Sequence, residues 1–296
     1  MNKPSVFQLV FIKLLQFLSP FIKSDVRYLK WYFFLYTGTW IDFNNVRTFS
    51  EKIQWLKLHN KDPKYTTIAD KYLFKNYVED ILGPGYTFPL LGAWDSFEEI
   101  DFDELPDKFV LKTNHNSGGV WIIKDKSKID YGSLKKDVEK QLSRNYYYPG
   151  REFPYKDIKH KIIAEQFMEE ASGDDLKDYK VFCFDGKPTY IQVDLDRFIE
   201  HKRDFYDAQW NMMDFGVLFP RSNKRIEPPE NLKEMIEIAK KLSDGFSFIR
   251  VDLFNIKGKI YVGELTFHPG GGVERFTPKE WDGRLGEMIN LERYGA

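Results

Sequence analysis

Cysteine is nearly missing: Cys183 is the single one in 296 residues, so neither an intramolecular disulfide nor a cysteine-rich zinc site is open to the chain. An excess of one charge is missing too. With 44 Lys+Arg against 45 Asp+Glu the formal net charge is −1, which gives no polycationic signature for nucleic acid and no polyelectrolyte tail. No uninterrupted apolar run reaches the ~20 residues of a membrane span. The stretch 6–22 is strongly apolar, but Gln8, Lys13 and Gln16 interrupt it and no small-residue cleavage site follows, so neither a span nor a signal peptide is expected. A GxxxxGK[ST] loop, a nucleophile elbow, internal repeats and low-complexity tracts are absent from the sequence. These absences predict a cytoplasmic protein with no nucleic-acid partner.

What is present is core material: 42% hydrophobic and 17% aromatic residues, in a length that suits two compact units. At the N-terminus, Ser5, Gln8, Lys13, Gln16, Ser19 and Lys23 gather on one side of a helical wheel. Phe7, Val10, Phe11, Leu14, Phe17, Leu18 and Phe21 fill the other, predicting an amphipathic helix that ends near Pro20. Two uses are open for it. The apolar face packs on the body or a partner subunit, or residues 5–23 lie in a membrane surface, with Lys3, Lys13, Lys23 and Lys30 beside Trp31.

Further along, helices are expected over residues 48–59, with Ser50 as N-cap, over 68–82, closed by Gly83-Pro84-Gly85, and over 131–145 and 230–242. Strands are expected over 108–112, at 122–123, and over 161–167, 179–184, 188–194, 248–254 and 259–265. Asp185-Gly186 and Lys257-Gly258 read as hairpin turns. There is no regular βαβ rhythm, so the predicted class is α+β with antiparallel hairpins.

Three places carry chemistry. In the hairpin from Arg250-Val251-Asp252 to Glu264, alternation can bring Asp252 and Glu264 onto one face of adjacent strands, where two carboxylates repel unless a cation joins them. Hard oxygen ligands suit Mg²⁺; an ordinary acidic strand pair balanced by Arg250 or Lys259 is the alternative. Lys112 precedes a donor-rich loop at residues 113–119 (TNHNSGG), able to meet a phosphate or to be a plain glycine turn. The edge from Glu165 to Met168 can bind a base through its amides, with Lys180 facing the same cleft; a core ribbon with solvated charges is the alternative.

In their order along the chain these pieces resemble the ATP-grasp superfamily, and more closely its TupA-like branch, named for teichuronopeptide biosynthesis. The resemblance is carried by residues 48–58 (TFSEKIQWLKL), Asp70-Lys71, residues 105–118 (LPDKFVLKTNHNSG), Gly150-Arg151-Glu152, residues 178–187 (DYKVFCFDGK) and residues 263–270 (GELTFHPG). It spans about residues 46–291. It implies two α+β subdomains, 109–165 and 166–296, enclosing a nucleotide cleft and preceded by a helical part at 46–108 and an N-terminal segment at 1–45. ATP and Mg²⁺ are the implied cofactors. Lys112 and Lys180 would contact the phosphates beside Asn116, Ser117 and Gly118, while Glu165, Gln166, Phe167 and Met168 would hold adenine and Asp178 the ribose. Asp252 and Glu264 would bind Mg²⁺, with Arg250 and Lys180 as the catalytic cations. One position departs from the pattern: Thr266 stands where asparagine is common, and a hydroxyl lacks the amide carbonyl ligand.

The implied activity is an ATP-dependent carboxylate–amine ligase of surface-polysaccharide biosynthesis, forming an acyl phosphate on a uronic acid and an amide with an amino acid or amine. For an anionic polysaccharide precursor the cations nearest in sequence are Arg151, Arg197, His201, Lys202 and Arg203, the last four expected on a loop after the strand ending at Asp194, and His268 lies beside the metal site. A glycosyltransferase using a nucleotide sugar is the alternative, since it too needs metal-bound acids and an aromatic cleft. A nucleotide-binding partner without catalysis is a third reading, sustained by Thr266.

Overall fold

The computed structural model describes residues 6–169, 176–195, 200–222 and 224–292. Its first part is helical: α1 (Val6–Leu18), α2 (Asp25–Thr37), α3 (Phe49–His59), α4 (Lys64–Ala69) and α5 (Phe74–Leu82). Helix α3 is capped by Thr48 rather than Ser50. The Thr48 hydroxyl accepts from the Glu51 N–H while the Glu51 carboxylate accepts from the Thr48 N–H, so each end satisfies an orphan donor of the other. Ser50 lies in the first turn, and its N–H donates to Asp282. The single helix expected over 68–82 is two helices. The Asp70 carboxylate accepts from the backbone N–H groups of Tyr72 and Leu73, a local turn that competes with helix and breaks the run there.

Strands β1 (Leu90–Trp94), β2 (Phe109–Thr113) and β3 (Val120–Ile123) are followed by α6 (Tyr131–Leu142), α7 (Tyr147–Gly150) and β4 (Ile162–Gln166). The four strands pair antiparallel in the order β1-β4-β2-β3. Alternation along β2 sends Phe109 and Leu111 into a core shared with Leu134 and Val138 of α6. Val110 and Lys112 are left on the opposite face.

The second sheet contains β5 (Asp178–Phe184), β6 (Lys187–Leu195) and β7 (Lys202–Asp207). After β8 (Gly216–Val217) and α8 (Leu232–Ser243) come its remaining strands, β9 (Phe248–Ile256) and β10 (Lys259–Thr266), followed by β11 (Phe276–Thr277) and α9 (Glu280–Glu287). The order is β10-β9-β5-β6-β7, and β8 with β11 makes a separate ribbon. Both expected hairpin turns are present, each with two residues at positive φ, as the twist of the flanking strands favours. Residues 202 and 203 are not in a loop. Lys202 and Arg203 open β7 opposite Leu195 and Asp194, because Phe205 and Tyr206 just beyond them fill the cores on the two sides of this sheet.

The two faces of the second sheet have different fates. On one, Val181, Val193, Ile249, Val251 and Leu253 pack against Met235, Ile238 and Leu242 of α8. On the other, Phe182, Phe184 and Phe248 are covered by Phe49 of α3 and by α9 residues such as Trp281. That cover reaches only one end of the sheet. At the other end the same face carries Asp178 and Lys180 of β5 and Asp252 and Phe254 of β9, which line the space facing the first sheet, with Arg250 beside them.

Candidate nucleotide cleft

Between the sheets lies a cavity of about 770 Å³. The first sheet lines it with Val110, Lys112, Val120 and Ile122, the second with Lys180, Asp252, Phe254 and Glu264, and the turn into α5 adds Lys71 and Phe74. Apolar walls with a few convergent charges suit a ligand that has a flat ring at one end and a charged group at the other.

The register of the second sheet sets the polar floor. Glu264 of β10 stands opposite Asp252 of β9, which stands opposite Lys180 of β5, and Lys180 is opposite Gln192 of β6. A bulge at Gly263 makes this row. Val262 pairs with Leu253 and Glu264 with Asp252, so Gly263 is an extra residue on β10 that re-aims Glu264 from the core face to the cleft face. Glycine is needed at that point because a Cβ would come within 2.6 Å of the Phe254 ring.

Each charge on the floor has a partner. Arg250 forks onto Asp252 through Nε (2.6 Å) and Nη2 (2.7 Å), and Nη2 also reaches Glu264 (3.2 Å) and the Thr266 hydroxyl (3.1 Å). Lys180 donates to Asp178 (2.5 Å) and Asp252 (2.8 Å). Burial alone would lower the pKa of Lys180, but Asp252 and Asp178 outweigh it and raise the value. Burial would raise that of Glu264, yet Arg250, Lys71 and Lys180 hold it down at about 2. The Glu264 side chain is still 45% exposed, open to the cavity. Among the described residues no group of three or more His, Cys, Asp or Glu side chains is placed to hold a metal ion. Glu264, open to the cleft, and the buried Asp252 beside it in the cleft wall fit Mg²⁺ that takes its other ligands from water and phosphate.

On the opposite wall the Glu165 carboxylate is shared by Lys112 and Lys75, the latter at 2.5 Å. Burial pushes the Glu165 pKa up, and the two ammonium groups more than reverse this. Lys75 also donates to the Phe88 carbonyl at 2.7 Å, tying α5 to the segment that runs alongside β10. Lys75→Met leaves the buried carboxylate with one cation in place of two, and is expected to cost roughly 3 kcal/mol of stability. Urea denaturation measures this; an unshifted midpoint would mean that the pair contributes nothing net.

Several expected positions are placed differently. Glu165 and Gln166 do not form a free edge: β4 is flanked by β1 and β2, and the Gln166 N–H donates to Pro89 O, so the chain leaves the sheet only at Phe167 and Met168, both in the cavity wall. The Asn116 side chain is turned inward, its amide oxygen accepting from the Thr113 hydroxyl (2.7 Å), and its backbone carbonyl accepts from Lys71. Ser117 and Gly118 sit at the exposed tip of the β2–β3 hairpin, outside the described lining. Asp178 lines the cavity and holds Lys180. Arg203 and His201 both engage Asp194, at 2.6 and 3.1 Å, and Arg203 is buried in β7 instead of lying free on a loop. Arg197 lies outside the described residues. His268 is buried 3.4 Å from Glu152 and away from the described lining. Arg151 is no acceptor cation, since it is buried, donating to the carbonyls of Ser19 and Ile22.

Lys71 is a site residue to which sequence reasoning gave no role. Its pKa is lowered by burial and raised in part by Glu264, and its ammonium lines the cavity. The Asp70-Lys71 pair was the available signal. Reading 68–82 as one helix concealed that the break at Asp70 turns Lys71 into the cleft.

Beside Asn114, His115 is fully buried and stacks on His160 at 3.6 Å. Burial first, then His160, lowers its pKa to about 4. An unfolded histidine takes up its proton near 6.5, so between pH 6.5 and 4 the unfolded state binds more protons and stability falls as pH falls, by about 3 kcal/mol in all. Urea midpoints from pH 7 down to 4.5 should show this, with a smaller fall in His115→Gln. Equal falls in both proteins would assign the loss to other groups.

The chain is 24% identical over 208 residues to a D-alanine–D-alanine ligase of Helicobacter pylori (strain HPAG1), covering 68% of this chain and 51% of that protein. It thus spans about half the length of the curated relatives it matches. Among solved structures it is similar to the D-alanine–D-alanine ligase from Bacillus anthracis complexed with ATP, with TM-score 0.46 and 18% identity over 77% of this chain and 65% of that one. It is also similar to the ATP-grasp ligase PsnB complexed with minimal precursor, with TM-score 0.42 and 12% identity over 83% and 67%. The profile of the TupA-like ATP-grasp proteins matches residues 51–290, which include the helical approach, both sheets and every wall of the cleft, so the chain belongs to the TupA-like ATP-grasp family.

Proposed function

We propose that the protein is a cytoplasmic ATP-dependent carboxylate–amine ligase. It activates a uronic acid unit of a surface polysaccharide or its precursor and joins it to an amino acid or another amine. The observation that carries this reading is the floor row of Glu264, Asp252 and Lys180, with Arg250 behind it, across the cavity from Lys112 and Lys71. In this reading the parts at 109–165 and 166–296 close on the nucleotide. The similarity to D-alanine–D-alanine ligases supports an amino acid as the amine.

A carboxylate is a poor acyl donor because its oxygen is a poor leaving group. Its attack on the γ-phosphorus of ATP forms an acyl phosphate and expels ADP; attack by the amine on the acyl carbon then expels phosphate and gives up a proton. Lys112, Lys71 and Lys180 hold the phosphates, and Val110, Ile122 and Phe254 offer apolar faces to the base. Arg250 faces charge that develops on the transferring group. Asp252 and Glu264 would hold Mg²⁺, which supplies charge neutralisation at the phosphates. No protein nucleophile is needed, and Cys183 is unsuited to the role, its thiol buried and its pKa pushed up to about 12.

Incubation with ATP, Mg²⁺, uronic-acid acceptors and pooled amino acids should release ADP together with a product of amide mass. Tight binding of a uridine sugar nucleotide with no binding of ATP would overturn the ligase in favour of a glycosyltransferase.

A further inference from the structure

Helix α1 is packed inside out. A surface helix of a globular protein ordinarily turns its apolar stripe inward. Here the inward stripe is Gln8, Ile12, Leu15 and Gln16, continued by Ser19, and Ile12 is the helix's one buried residue. Gln16 donates to the Tyr36 hydroxyl, and the Ser19 hydroxyl donates to the Gln16 carbonyl. The outward side holds Phe7, Phe17 and Phe21, at 77%, 74% and 77% exposure, with Val10, Phe11 and Leu14 about half exposed between them. Packing of the apolar face on the body, one of the two uses open from the sequence, is therefore not what the structure shows. Helix α2, on which α1 rests, adds Trp31, which meets Trp40 at 4.9 Å; both are more than half exposed.

Charge selects the occupant of this surface. Residues 6–40 contain Lys13, Lys23, Arg27 and Lys30, all exposed, and one acid, Asp25. Asp25 is withdrawn from solvent chemistry by Arg151 (3.2 Å) and the Tyr147 hydroxyl (2.8 Å), so the charge left to face outward is positive. No described helix is long and apolar enough to cross a membrane. Phenylalanines outward, lysines and an arginine interspersed, and tryptophans exposed nearby are the pattern of a helix lying in the plane of a lipid headgroup layer. We propose that α1 and the start of α2 form a docking surface for an anionic lipid bilayer. Arg151 fastens that surface to the body by binding the carbonyls of Ser19 and Ile22. The next residue, Glu152, touches His268, which follows the strand that carries Glu264.

The full chain should co-sediment with vesicles of phosphatidylglycerol in phosphatidylcholine, more weakly with phosphatidylcholine alone, and several-fold more weakly as salt screens the lysines. The double variant Phe7→Ser/Phe17→Ser should lower the partition constant at least tenfold. Lys13→Gln/Lys23→Gln should remove most of the preference for anionic lipid. Unchanged Mg²⁺-ATP binding and thermal midpoint in both variants would show that the body is intact. Absence of the parent chain from both lipid pellets would overturn the proposal, as would equal binding to the two vesicle types. So would a concentration-dependent dimer abolished by the phenylalanine variant, which would assign the face to a second copy of the chain.

Discussion

Glu264→Gln is expected to lower kcat by about 10²–10³-fold, the usual scale for removing one preorganised charge at a reacting centre. The substitution keeps the shape and the contacts of Oε1 with Arg250 and Thr266, and removes only the negative charge that would meet the metal. Because the side chain is 45% exposed, folding should change little. Asp252→Asn should be at least as damaging to turnover and also costly to stability, since both Arg250 and Lys180 converge on that buried carboxylate. ADP release measures the first effect and thermal melting the second. Turnover of Glu264→Gln within threefold of the parent would remove Glu264 from the metal site.

Arg250→Lys is expected to lower kcat by about 10²-fold while leaving Mg²⁺-ATP affinity within a few-fold. Arginine here spans Asp252, Glu264 and Thr266 with a planar fork that one ammonium cannot reproduce. A lysine keeps the charge that opposes the two carboxylates but cannot brace both of them while facing the transferring phosphoryl group. Parallel measurement of kcat and nucleotide Kd separates these effects. A variant with normal kcat would reduce Arg250 to a brace for Asp252, and one that lost ATP binding outright would make it a phosphate ligand.

The chemistry-bearing hairpins were legible because short-range rules govern them. Turn residues at Asp185-Gly186 and Lys257-Gly258 fixed where chains reverse, and alternation put Lys180, Arg250 and Asp252 on one face. Alternation from the turn does not by itself give the Asp252–Glu264 pairing. Continuing the Val262–Leu253 register would have set Glu264 opposite Val251, and the bulge at Gly263, where a Cβ would collide with the Phe254 ring, sets it opposite Asp252. Three other features depend on distant partners. The break at Asp70 is fixed in part by Asn114, 44 residues on; Arg203 is drawn into a strand beside Asp194; and the inward stripe of α1 is chosen by Tyr36 and Arg151. Wheel and window arguments see neighbours in sequence, and these contacts lie beyond them.

Among the described residues, the wall of the cleft contains five lysines, Lys71, Lys112, Lys124, Lys177 and Lys180, and six carboxylates, Glu165, Glu169, Asp178, Asp194, Asp252 and Glu264. Cations just outside the wall sit on several of these acids: Arg250 on Asp252, Lys75 on Glu165, Arg203 on Asp194 and Lys108 on Glu169. Charges of both signs are thus interleaved along the wall, so in the proposed reading an incoming triphosphate would gain little by long-range attraction, and its on-rate should change little from low to high salt. The negative charge of the nucleotide would be felt only after entry, when phosphate oxygens compete with Glu165 for Lys112 and with Asp178 and Asp252 for Lys180. In that reading a nucleotide without its metal would set its oxygens against Asp252 and Glu264, whose charge Arg250 and Lys180 offset only in part, so the floor would favour magnesium-bound over free ATP after encounter and not during approach.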